Sequence, residues 1–539
     1  MRPFRPFCLI VSLICLLLAG GCRRTAEVDL AAQEGYLLVG TGPEPESFDP
    51  QLSTSANAIN LHLALWEGLT APNPQDLSPQ PGVAESWDVS PDGLTYTFHL
   101  RPEAKWSNGE PLTAQDFAYA WQRLLSPAVA AGNAAMLYVI DGAEAFNQGQ
   151  TTDFAQVGVR ALDTRTLQVR LDHRVPDLLE RLMHPSFAPL PRATVEAAGE
   201  AFVRQDAWAR PGRMVSNGPF RFSEWRPNER IVVERNPHYW NDAQTSLQGV
   251  RFFPITDLST EERAFQAGQL HVTEALPPRR VPYYQQNQPE VLRVDPYLGT
   301  YYYLLNHEVK PLDDVRVRRA LSAAIDRRAI TEQILQGGQQ PALQFTPERL
   351  LDAETSLPTI EEGKQLLAEA GYPNGEGFPA LELVYNASET HQRIAEAIQS
   401  MWQRAYGITV NLSNVEAKTY YERRRTGEFA VARAVWIADY VSPQTFLEIW
   451  TSGHSNNYSR WGDTAYDALL EEAARATTPE QRRQRYAEAE RYLEQQAVML
   501  PIYHYTTAYL IRPEVKGWTA NPLDWHPYQY VRLQNDAQD

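Results

Sequence analysis

FAVARAVWIADY, residues 429–440, is the stretch whose reading decides the fold. Phe429, Val431, Val435 and Ile437 are large and apolar, and Ala430, Ala432 and Ala434 between them are small. A short, nearly continuous apolar run of this kind reads as a buried strand. Arg433 interrupts it, and Trp436, Asp439 and Tyr440 stand at its end. In open α/β sheets, ligands bind in the crevice outside the carboxyl ends of the strands. Asp439 is therefore placed to hold a cation and Arg433 to help with an anion. A structural alternative stands beside that reading: a core strand with a salt-bridged arginine and a loop aspartate.

Working outward, residues 381–385 read as a strand and 388–406 as a long helix ended by Gly407. Residues 408–412 are a strand, 417–426 a charged helix, and 429–436 the strand above. This β-α-β-α-β order predicts a doubly wound parallel sheet in this part of the chain. Residues 300–306, TYYYLLN, form an unusually aromatic strand, and 315–325 a helix. Thr478-Pro479 starts the last long helix, with proline at its first position. Toward the amino end, LTYTFHL (94–100) alternates with period two, as a half-buried strand does. Thr113 and Asp116 have capping-box spacing, and residues 60–69 have that of a short helix. The fold is expected to begin with a strand at 36–39, after a polar tether over 22–35.

At 539 residues the chain is too long for one core. A net charge of −17 with no basic run argues against nucleic acid as a partner. The 13 Trp, 26 Tyr and 18 Phe supply core and can also line pockets for varied ligands. All 3 cysteines, Cys8, Cys15 and Cys22, lie near the amino end. Arg2 and Arg5, an apolar run over 7–18 and Leu18-Ala19-Gly20-Gly21-Cys22 make a secretory signal over 1–21. Small residues directly before Cys22 resemble a bacterial lipobox, with Ala19 where leucine is usual; Cys22 would be lipidated. The alternative is a plain secretory signal. Either way no internal disulfide is available to the mature chain.

Local signatures of catalysis are missing. There is no His-Glu-x-x-His, no cysteine cluster, no Gly-x-Ser-x-Gly and no phosphate loop, and the 11 histidines are scattered. Asp313-Asp314 and Glu361-Glu362 sit at helix starts, where the dipole and caps explain them. No cofactor or metal is expected, although two distant carboxylates of a secreted hydrolase would leave no signature.

Several stretches together resemble the oligopeptide-binding proteins of bacterial ABC importers, family 5 of the extracytoplasmic solute-binding proteins. They are PGVAESWDVSPDGLTYTFHLRPEAKWSNGEPLTAQDFAYAWQRL (81–124), SNGPFRFSEWRPNERIVVERNPHYWN (216–241), DPYLGTYYYLLN (295–306), DDVRVRRALSAAIDR (313–327), AEAGYPNG (368–375) and the opening strand with SNNY (455–458). The resemblance implies an α/β, two-lobed periplasmic-binding-protein fold, the large three-domain type II variant, with a ligand cleft between the lobes. Domain I would be 36–66, 193–298 and 507–539; domain II would be 67–192; domain III would be 299–506. The implied ligand is an extended peptide of about two to five residues, held by main-chain bonds and by both termini.

By this resemblance Asp439 pairs with the α-amino group. Arg433 helps neutralise the carboxylate, with Arg424 and His391 as further partners for other lengths. Trp436, Tyr302 and Tyr505 fall on aromatic pocket positions, and Ser55 and Ala56 on a backbone segment that meets the ligand. The implied partners are an ABC permease with its ATPase subunits and, through the anchor at Cys22, a membrane; the protein would be a monomer. Family members carry a cysteine pair where this chain has Gly299 and Ile437, a tryptophan at Ala417 and a lysine at Leu335. Receptors for murein tripeptide, dipeptides or haem use the same scaffold and remain alternatives.

Overall fold

The structure is a computed structural model that describes residues 26–53, 55–454 and 456–534. The signal segment and Cys22 lie outside the described residues. The tether expected over 22–35 is corrected in its second half. Helix α1 (Glu27–Gln33) buries Val28 and Ala31 against Leu38, so the packed fold begins ahead of Tyr36. Two apolar residues three apart suffice for one buried helix face, and the surrounding polar residues hide that signal.

The first lobe holds β1 (Tyr36–Gly40), α2 (Ala56–Leu65), β2 (Ala84–Val89), β3 (Thr95–Leu100), α3 (Ala114–Leu125), β4 (Val159–Ala161), β5 (Thr166–Arg170), β6 (Phe220–Arg226), β7 (Arg230–Arg235) and β8 (Gly249–Phe253). One sheet has the order β1-β8-β7-β6, with β1 parallel to β8 and the other pairs antiparallel. The other has the order β2-β3-β5-β4 and is antiparallel throughout. One core joins them, with Leu37, Phe98, Phe117, Trp121, Trp208, Phe220 and Val250 among its members. The capping box at Thr113 and Asp116 forms as the spacing predicts. The helix over 60–69 lies earlier than expected: it starts after Ser55, which is in extended conformation, and Trp66 leaves it in extended conformation. Arg123 of α3 pairs with Asp49 at 2.7 Å, both fully buried. Removing either partner would strand a charge, at a cost of about 3–5 kcal/mol.

The second lobe holds β9 (Leu292–Leu305), β10 (Gln340–Pro341), β11 (Leu381–Asn386), α4 (Glu389–Tyr406), β12 (Val410–Val415), α5 (Ala417–Thr426), β13 (Val431–Ile437), α6 (Pro479–Gln496) and β14 (Met499–Leu510). Helix α4 ends where Gly407 takes φ 72°, a left-handed position suited to glycine, and its N–H reaches back to the Gln403 carbonyl. The sheet order is β10-β14-β9-β13-β11-β12. β11 is parallel to β12 and to β13, as the β-α-β-α-β order predicts. The sheet as a whole is mixed, which corrects the parallel expectation: β9 is antiparallel to β13 and β14. β9 brings the chain out of the first lobe and β14 takes it back, so the two run opposite ways. Apolar runs carry no sign of direction.

β13 has two faces. Ala432 and Ala434 pack with Tyr302, Phe345 and Trp450 on one side. Val431 packs with Tyr301, Tyr303 and Leu383 on the other. The pair β9/β14 is continuous from one lobe to the other, but its register shifts between Pro296 and Thr300.

Candidate functional site

The chain leaves β13 at Ile437, and Ala438 donates its N–H to the Leu298 carbonyl at 2.8 Å. The next residue is Asp439, on which Glu448 of the same lobe and Arg181 of the other act. Its own N–H meets the Thr445 hydroxyl at 3.4 Å. Its carboxylate has no hydrogen-bond or ion-pair partner among the described residues. Burial pushes the carboxyl up to about 6, Glu448 adds to the rise, and Arg181 offsets part of it. A half-buried acid in that condition gains from an incoming cation.

Arg433 lies mid-strand and is 7% exposed. The structural alternative of a salt-bridged arginine fails here, for no acid pairs with it among the described residues. Its guanidinium lies 5.2 Å over the Tyr301 ring, its Nη1 is 3.5 Å from Asn386 Oδ1, and its buried Nε has no partner. Tyr420 donates its hydroxyl to the Arg433 carbonyl. His391, near the start of α4, bonds the Tyr301 hydroxyl at 3.3 Å. Burial, and then Arg433, hold this imidazole down to about 4, so it is neutral at physiological pH.

Arg424 is the middle member of three arginines at the end of α5. Arg423 pairs with Glu382 at 2.7 Å and Arg425 with Glu422 at 2.5 Å. Arg424 has no acid partner among the described residues; it lies 4.7 Å over the Tyr458 ring, and its buried Nε is unsatisfied. An aromatic face holds a guanidinium in place without neutralising it.

The predicted residues thus fall into groups. Arg433, His391 and Tyr505 share one side of the sheet through Tyr301 and Tyr503, whose rings stack at 4.9 Å. Arg424 belongs with Tyr302, which is 4% exposed and packs edge-on against Phe345 and Trp450. Trp436 stands opposite Thr300, with its indole N–H unsatisfied. Ser55 precedes α2 without making a side-chain cap bond, and its hydroxyl is buried and unpartnered. Ala56 opens that helix, which carries Asn60 to a cavity of about 320 Å³ that is also lined by Tyr297 and Tyr505. Burial, then the acids Asp524, Glu274 and Asp439, push the Tyr297 hydroxyl well up, which places this cavity near the acid. Leu335 is buried in the core under the sheet, so no charge is offered there.

Residues 78–458 match the family described as bacterial extracellular solute-binding proteins, family 5. The chain belongs to that family. It is 37% identical over 524 residues to the periplasmic oligopeptide-binding protein OppA of Escherichia coli, covering 94% of this chain and 95% of that one. It is 40% identical over 490 residues to the periplasmic murein peptide-binding protein MppA of the same organism, covering 89% of each. A solved structure of Haemophilus influenzae OppA in complex with RPPGFSPFR superposes with a TM-score of 0.78 at 35% identity, covering 93% of this chain and 99% of the other. The two-lobed fold of the family 5 proteins is therefore the fold of this chain.

Against that family frame, Gly299 and Ile437 are direct cross-strand partners. A Cβ added at Gly299 would come within 2.4 Å of Ile437 Cδ1, so the isoleucine fills the space over the glycine. The sequence reading missed Arg181, Glu448 and Tyr297. Tyr297 stands in the quoted DPYLG stretch and could have been marked; Arg181 and Glu448 carry no local signal.

Proposed function

We propose that this protein is a non-enzymatic extracytoplasmic receptor that captures oligopeptides in a closing cleft and delivers them to an ABC importer. One observation carries the reading. Among the described residues, an acid whose carboxylate has no partner stands at one end of β13, and two guanidiniums without acid partners stand along it and beside it. An extended peptide with free termini presents the complementary charges, and main-chain bonding leaves its side chains loosely specified. The relatives named for oligopeptide binding support the same reading.

In this reading domain I comprises residues 36–66, 193–298 and 507–539, domain II 67–192, and domain III 299–506. Asp439 receives the α-amino group, and Arg433, with Arg424 and His391, receives the carboxylate. Trp436, Tyr302 and Tyr505 line side-chain pockets, and Ser55 and Ala56 meet the ligand from the first lobe. Residues 1–21 are removed and Cys22 is lipidated, which anchors the protein at the membrane.

Native mass spectrometry of the protein as isolated from cells, followed by ligand release and sequencing, tests the ligand class. A mixed set of short peptides is the expected result; a single non-peptide ligand, or cleavage of added peptides, overturns it. The same spectrum reports the mass at Cys22. A second reading rests on the 40% identity to the murein peptide-binding relative. It is favoured by Glu274 and Asp524, two acids on the cavity of about 320 Å³ that could take a second ammonium group. Release of a murein tripeptide alone would decide for it.

A further inference from the structure

The lobes meet in a largely buried polar cluster beside Asp439, in which the Glu448 side chain stays 25% exposed. Asp177 and Arg181 come from the first lobe, flanking and ending the short helix Leu178–Arg181. Tyr440 and Glu448 come from the second. Arg181 Nη2 donates to the Tyr440 hydroxyl at 2.6 Å and to Glu448 Oε2 at 3.0 Å. The Arg181 guanidinium lies 4.5 Å over the Tyr440 ring, and its Nε is 3.6 Å from Asp177. Tyr440 in turn donates to Glu448 Oε1 at 3.0 Å. Behind the cluster, both lobes line a cavity of about 890 Å³.

The charges in this cluster do not balance. The charged groups that act on Asp439 are Glu448 and Arg181, and Arg181 is already engaged by Glu448 and Asp177. Three carboxylates thus share one guanidinium. Nearby, burial pushes the Glu180 carboxyl up to about 7, with Asp177 adding to the rise and Arg482 and Arg181 opposing it, and burial keeps the His454 imidazole toward its neutral form. Closing the lobes removes water from this excess of negative charge, which is costly unless a cation enters.

We propose that Arg181 and Glu448 determine specificity by making lobe closure conditional on a positively charged group at Asp439. The inference rests on the peptide reading and extends it. Selection for a free amino end then arises twice, once in direct contact with Asp439 and once in the balance of the interface that closes over it. Arg181 holds the lobes together only as far as its single charge can serve three acids. The ligand ammonium supplies the second charge.

The test uses the mature chain carrying Leu162→Cys and Ile360→Cys, at exposed positions on the two lobes. They would be the only thiols beyond Cys22. Distances between labels there report closure. Glu448→Gln keeps the shape and one acceptor oxygen for Arg181, turns the oxygen facing the Tyr440 hydroxyl into an amide donor, and removes one negative charge. It should raise the closed fraction without ligand, and lower the preference for free-amino over N-acetylated peptides by about tenfold. Arg181→Gln should do the opposite on both readouts. A merely structural contact would loosen closure in both variants, and shifts in the same direction, or an unchanged Glu448→Gln protein, overturn the proposal. Should the unsubstituted protein bind no free-amino peptide, the peptide reading falls, while the ligand-free distances of the Glu448→Gln protein still decide the charge balance.

Discussion

The two ends of the cleft are built differently. At the proposed carboxylate end, Arg433 and Arg424 are held within one lobe, against the faces of Tyr301 and Tyr458. At the proposed amino end, Asp439 comes from one lobe while the arginine that moderates it, Arg181, comes from the other. One end is preorganised and the other is completed by closure. A preorganised end lowers the ordering cost of capture. An end completed by closure senses whether the right group is present.

The sharpest way to break this comparison is Asp439→Asn. We expect about 10²- to 10³-fold weaker binding of free-amino peptides, because one partner of a buried pair is lost. Calorimetric titration with free-amino and N-acetylated peptides checks this; equal loss for both would place the anchor elsewhere. Arg433→Met should cost about ten- to a hundredfold for peptides with a free carboxylate and little for their amides. Arg424→Gln should matter less, by about fivefold, and only for some peptide lengths, since its guanidinium sits on an aromatic rim.

Acid separates the two ends in another way. Burial, with Glu448 adding to it, pushes the Asp439 carboxyl up to about 6, and a bound ammonium must depress it. Affinity for free-amino peptides is therefore full above that pH and is lost as pH falls through it, by at most about tenfold per unit. N-acetylated peptides should show no such dependence between pH 5 and 7 in the same titration. The smallest effect concerns the frame between the ends. Gly299→Ala meets Ile437 Cδ1 and should destabilise the fold by about 1 kcal/mol, which Ile437→Val in the same chain should relieve. Thermal unfolding of the single and double variants measures it.

Much of the second lobe was legible because its strands and helices alternate and its helix ends carry glycine. Asp439 was legible as an acid past a strand end. Its moderators were not. Arg181 sits at the end of a four-residue helix and meets Glu448 across 267 positions of chain. No local periodicity announces such a contact. The antiparallel entry of β9 was hidden for a related reason: TYYYLL faces core on both sides, so nothing in its pattern marks its neighbours. Helix α1 was hidden by having only two inward residues.

The break in register between Pro296 and Thr300 has a mechanical consequence. On either side of it β9 and β14 are laced together, and each half belongs to a different core: Leu292 and Leu510 to one, Tyr301 and Tyr503 to another. An interrupted ladder bends at lower cost than an intact one. The crease is where a swing of the lobes can be absorbed with both cores left untouched, and it also carries Tyr297, which lines the cavity of about 320 Å³. In the proposed reading, the crease and the edge of the peptide cleft therefore fall on the same few residues.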